Sequence, residues 1–89
     1  MTYETIYEDT VRTEAIDELL GEYLVRFERL RVVVRHDRFY PAQSTATCER
    51  WTRAGTWVEI GRLLPATIAS PAQARTRLLE RAAELLALA

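Results

Sequence analysis

The tripeptide Arg53-Ala54-Gly55 constrains this chain more than any other feature, because it separates two segments rich in Val, Thr and Trp, residues 45–52 and 56–63. Three residues ending in glycine fit a hairpin made of a type I turn and a left-handed residue, a conformation glycine adopts without steric penalty. A two-residue Ala-Gly turn would force Ala to positive φ. With Thr52 opposite Thr56, Trp51 faces Trp57, Glu49 faces Glu59 and Cys48 faces Ile60, and directly opposed residues share a face of the sheet. A third segment of strand composition, residues 30–36, precedes the pair, so an antiparallel meander is expected.

Parity then separates two faces. Even positions carry Leu30, Val32, Val34, Ala46, Cys48, Val58 and Ile60, a face ready for a core. Odd positions carry Arg31, Val33, Arg35, Thr45, Thr47, Glu49, Trp51, Trp57, Glu59 and Leu63. Two opposed carboxylates, Glu49 and Glu59, need relief, which Arg31 and Arg35 on the neighbouring strand are placed to give.

Helices should cover the even face. In Ser70-Pro71-Ala72-Gln73 the serine can cap, the proline has its φ preset for the first helical position, and the glutamine can reach back to the cap. Leu78, Leu79, Ala82, Leu85 and Leu86 follow at helical spacing. Upstream, Ile16, Leu19, Leu20, Tyr23, Leu24 and Phe27 recur at three and four residues, after Thr10 or Thr13 as caps and with Glu14, Asp17 and Glu18 at the positive end. This predicts a helix to about Phe27. Gly21 keeps a second reading open, in which the helix stops there and Tyr23, Val25 and Phe27 begin a long strand. The expected fold is therefore α+β: one domain, residues 1–89, with two helices on one face of a three-stranded antiparallel meander in the order α-β-β-β-α. Residues 2–8 are available as an additional N-terminal edge strand. That order resembles double-stranded-RNA-binding domains in topology alone; their basic helix start and basic loop are missing from residues 70–81.

Function classes narrow by subtraction. The chain has one histidine (His36), one cysteine (Cys48) and no lysine, against twelve arginines. Metal centres, Schiff-base chemistry and nucleophile–base pairs lack their parts, so no catalytic residue, metal or cofactor is expected, and a ribonuclease role would have to rest on His36. A formal charge of −1 draws the chain neither to phosphate backbones nor to anionic lipid. With no apolar run long enough to span a bilayer, no basic-then-apolar leader and no second cysteine, a cytoplasmic protein is expected.

Trp51 and Trp57 are the unusual surface, since soluble proteins seldom leave so large an apolar pair open. Two arrangements remain open at this point: the N-terminal segment, with Tyr3, Ile6 and Tyr7, covers them, or they meet a partner. The candidate partner-binding residues are Trp51, Trp57, Arg31, Arg35, Val33 and Leu63. They suggest a non-enzymatic regulatory or adaptor module that binds itself or another protein through this face, tryptophan and arginine being enriched at interface hot spots. The alternative is a nucleic-acid-binding protein that stacks bases on the same tryptophans.

Overall fold

A computed structural model describes residues 3–88, and these form an α+β domain with a four-stranded antiparallel sheet in the order β1-β2-β3-β4. The strands are β1 (Tyr3–Asp17), β2 (Glu22–His36), β3 (Thr45–Trp51) and β4 (Trp57–Arg62), followed by helices α1 (Pro71–Glu80) and α2 (Ala82–Leu88). The observed order is thus β-β-β-β-α-α, not α-β-β-β-α, and the topological likeness to double-stranded-RNA-binding domains falls with it. The N-terminal edge strand exists and runs far past residue 8. Thr2, the first residue of the expected strand, lies outside the described residues.

The predicted upstream helix is instead a hairpin. β1 pairs with β2 along its whole length, from Tyr3 opposite His36 to Asp17 opposite Glu22. The turn is built locally: Asp17 Oδ1 accepts from the N–H groups of Leu19 and Leu20 at 3.0 and 3.2 Å, Asp17 O accepts from Gly21 N at 2.7 Å, and Gly21 takes φ +64°. A short acid that satisfies the next backbone N–H groups serves a turn as well as a helix start, which is why Asp17 misleads. Thr10, Val11 and Thr13 meanwhile favour the extended chain. Strand pairing to Phe27 agrees with the second half of the open alternative, without any helix before it.

The even face of β2 and β3 is the core face. Leu30, Val32, Val34, Ala46 and Cys48 are buried against Ile68, Ala74, Leu78, Ala82 and Leu85 of the helical segment. Each fully buried Leu or Val contributes roughly 1.5–3 kcal/mol relative to exposure. At the start of α1, Ser70 Oγ accepts from Gln73 N at 3.1 Å and Pro71 opens the helix, while Gln73 Oε1 accepts from Ala69 N rather than from the cap's own N–H. The helix breaks at Arg81, whose N–H turns to Leu78 O, and α2 carries Leu85 down onto β4. Arg75 ties α1 to β1 through Asp9 at 2.6 and 3.1 Å.

The hairpin between β3 and β4 closes as expected. Gly55 N donates to Thr52 O at 3.0 Å, Thr52 N donates to Thr56 O at 2.9 Å, and Gly55 has φ +78°. Trp51 opposes Trp57 and Glu49 opposes Glu59, but Cys48 opposes Gly61, because a bulge inserts one residue at Ile60. The bulge inverts parity beyond it. Leu63, expected beside the tryptophans, is only 5% exposed and belongs to the core, its N–H bonded to Ala46 O. Val58, expected in the core, lies where the helices do not reach and is 48% exposed.

Candidate functional site

The face opposite the helices is open and carries the predicted surface. Trp51 and Trp57 meet edge to face, with ring centroids 5.2 Å apart at 63°. They are not a bare apolar patch. The Arg29 guanidinium lies 5.3 Å from both ring centroids and Arg31 lies 4.5 Å above Trp57, so each indole holds a cation over its π-system. Trp51 remains 37% exposed. The N-terminal segment does not cover the pair: β1 is the far edge of the sheet, with Ile6 opposite Val33 on the outer face and Tyr7 packed toward the core.

The charges of this face are matched in pairs. Arg31 bonds Glu49 at 2.5 Å, Arg35 bonds Glu4 at 2.9 Å, Arg29 reaches Glu8 at 3.2 Å, Arg62 holds Glu59 at 2.7 Å, and Arg12 pairs with Glu14. Arg31 relieves Glu49 as expected. Arg35 does not join Glu59; it lies opposite Thr45, near the end of β2, and turns outward to β1, leaving Glu59 to Arg62 of its own strand. Val33 sits on this face half-buried between Ile6 and Thr47. Of the six candidate residues, Trp51, Trp57, Arg31 and Val33 therefore share one surface, Arg35 marks its distant rim, and Leu63 is absent from it.

Arg29 was not among the candidates. β2 runs back to Glu22, so its alternation continues past Leu30 and sets Arg29 beside Trp51.

The same face continues outward. β3 pairs with β2 only as far as Leu30, so residues 10–17 and 22–29 form a two-stranded ribbon of eight cross-strand pairs that extends beyond the sheet. At about 3.3 Å per residue such a ribbon reaches roughly 25 Å, which accounts for the 53 Å long axis against 24 and 17 Å. On its outer side Phe27, Val25, Tyr23 and Ile16 are exposed, and Leu19 and Leu20 cap the tip. The Tyr23 hydroxyl beside Glu14 holds that carboxyl below its ordinary range and lifts the phenol above its own.

Burial, helped by neighbouring Glu49, pushes the Cys48 thiol up to about 11, so the thiol is neutral at ordinary pH. His36 lies at the end of β2 opposite Tyr3. Among the described residues no three His, Cys, Asp or Glu side chains are grouped to hold a metal ion, and no helix is long and apolar enough to cross a membrane. Comparison with protein-family models, with curated proteins and with solved structures returned no match.

Proposed function

We propose that this chain is a non-enzymatic interaction module whose outer sheet face, centred on Trp51 and Trp57 and continued along the ribbon, binds protein. One observation carries the reading: the two arginines stacked on the tryptophans, Arg29 and Arg31, are already matched by Glu8 and Glu49. Such a face offers flat aromatic area and satisfied polar groups, the composition of a protein interface core and rim. A phosphate backbone would have to displace carboxylates one by one, and the ribbon adds five acids, Glu14, Asp17, Glu18, Glu22 and Glu28, against three arginines, Arg12, Arg26 and Arg29. Single-stranded nucleic acid stacking on Trp51 and Trp57 is the competing reading.

Tryptophan emission separates the two. Titration with single- and double-stranded nucleic acid at low salt, repeated at about 0.2 M, should leave the emission unchanged, because there are no phosphate contacts for salt to weaken. A salt-sensitive change that flattens by about one unit of slope in Arg29→Ala or Arg31→Ala would transfer the face to nucleic acid. On the protein reading, the Trp51→Ala/Trp57→Ala double variant loses association that is only weakly dependent on salt.

A further inference from the structure

The ribbon ends in a surface that suits a second copy of itself. Along residues 22–29 the outer edge of β2 has no strand beside it among the described residues, since β3 begins its pairing at Leu30. An unpaired edge next to exposed apolar side chains is a template for strand addition. Leu19 at the tip is 97% exposed and Phe27 at the base of the ribbon 69%.

Two features of opposite charge flank this edge. The tip carries Asp17, Glu18 and Glu22 around Leu19 and Leu20. The notch where β3 parts from β2 is lined by Arg26, Phe27, Glu28, Arg50, Trp51, Thr52 and Arg53. There Arg50 Nε lies 3.4 Å from Glu28 without a well-directed hydrogen bond, and Arg26 and Arg53 form no ion pair among the described residues. An acidic tip with leucines thus matches a basic notch with a phenylalanine and a tryptophan, on the same molecule but at opposite ends of the ribbon.

We infer that the chain forms a twofold dimer in which the β2 edges of two ribbons pair antiparallel and each tip enters the partner's notch. This rests on the proposed function only in taking the ribbon as a protein-contact element, and it names the partner as a second copy. The register follows from three rules. Opposed residues must share a face, so their numbers sum to an even value; like charges must not oppose; and the edge must be free of β3. A sum of 52 or more carries Glu22 to Leu30 or beyond, where β3 already pairs, a sum of 50 sets Glu22 against Glu28, and a sum of 46 sets no opposite charges against each other. A sum of 48 sets Glu22 against Arg26 on both sides of the axis, Tyr23 against Val25, and Leu24 against itself. A twofold contact of this kind uses the same edge of both chains and so closes on two.

Sedimentation velocity and native mass spectrometry over a range of concentrations test the inference on the full chain. The parent should dimerise, and Leu19→Ser/Leu20→Ser should weaken dimerisation about tenfold or more while near-ultraviolet circular dichroism keeps the native tryptophan signal. Glu22→Arg and Arg26→Glu should each weaken it, and an equal mixture of those two variants should restore a heterodimer, because opposite charges then face each other at both sites, one pair reversed and one native. Leu24→Cys should form an intermolecular disulfide under mild oxidation where Val25→Cys does not. A parent that stays monomeric overturns the inference, as does a dimer indifferent to the tip and charge variants. If self-association is lost only in Trp57→Ala, at a residue outside the notch, the ribbon contact is wrong and the tryptophan face stands. If the ribbon dimer holds while Trp57→Ala loses nothing, the inference stands and the proposed function falls.

Discussion

β2 passes through two environments, and the contrast between them explains the molecule. From Leu30 to Val34 it lies between two strands with helices on one face, and Leu30, Val32 and Val34 are fully buried. From Glu22 to Arg29 it has one neighbour strand, and on the same face Leu24 is only half-buried and Arg26 is exposed. The alternation of side chains is continuous across the boundary. Burial is set by where β3 and the helices end, so an apolar residue on a strand is a core residue only if a second layer reaches it.

The largest expected difference is in stability. Leu30→Ala should cost about 2–5 kcal/mol in urea unfolding, whereas Ile16→Ala, at dilution, should stay within about 0.5 kcal/mol. Equal effects would mean that the ribbon packs as tightly as the sheet.

Titration sharpens the same contrast. Cys48 has a folded pKa of about 11 against an ordinary value of 9.0, so its contribution is fully present below pH 9 and is lost as pH rises through 11. Cys48 should therefore contribute a fall of about 2–3 kcal/mol across that window, and Cys48→Ala should remove that part, leaving the smaller fall due to Tyr23. Ala15→Cys, on the ribbon, should react with iodoacetamide as a free thiol does while Cys48 stays protected. Comparable reaction at both would refute a dry core beneath β3.

Glycine substitutions give a smaller effect. A Cβ on Gly61 would stand 2.6 Å from Leu85 Cδ2, so in Gly61→Ala the Leu85 side chain must turn aside, at a cost of about 1 kcal/mol. A Cβ on Gly21 meets nothing within 4 Å, and only its positive φ opposes a side chain, so Gly21→Ala should change the turn and leave the core transition almost unmoved. The smallest effect concerns the exposed pair Arg35 and Glu4. Removing either should change stability by roughly 0.2–1 kcal/mol, and less at high salt.

Elements legible in the sequence are those decided by near neighbours. Ser70 and Pro71 start a helix by capping chemistry, and Gly55 closes a hairpin by its φ. The ribbon was not legible, because Ile16, Leu19, Leu20, Tyr23, Leu24 and Phe27 satisfy a helical period although they share no buried face. Periodicity carries information when burial produced it, and most of these side chains are exposed. The bulge left a trace: a lone glycine inside a strand marks either a register shift or a close approach, and Gly61 adjoins the first and permits the second. Of the site, the opposed tryptophans followed from the turn, and Arg31 from the strand alternation of residues 30–36. Arg29 and the displacement of Leu63 depended on a strand boundary and an inserted residue that no local pattern reveals.

The unequal strand lengths also give the molecule a mechanical character. A load on the ribbon tip enters the body along β2, which is an interior strand, and is carried by its hydrogen bonds to β3 acting in shear. β1, whose one partner strand is β2, is drawn the same way, so the bonds between them carry little of the load. Pulling on the tip should therefore be felt first where β2 meets β3, and a force on the ribbon is handed directly to the folded body.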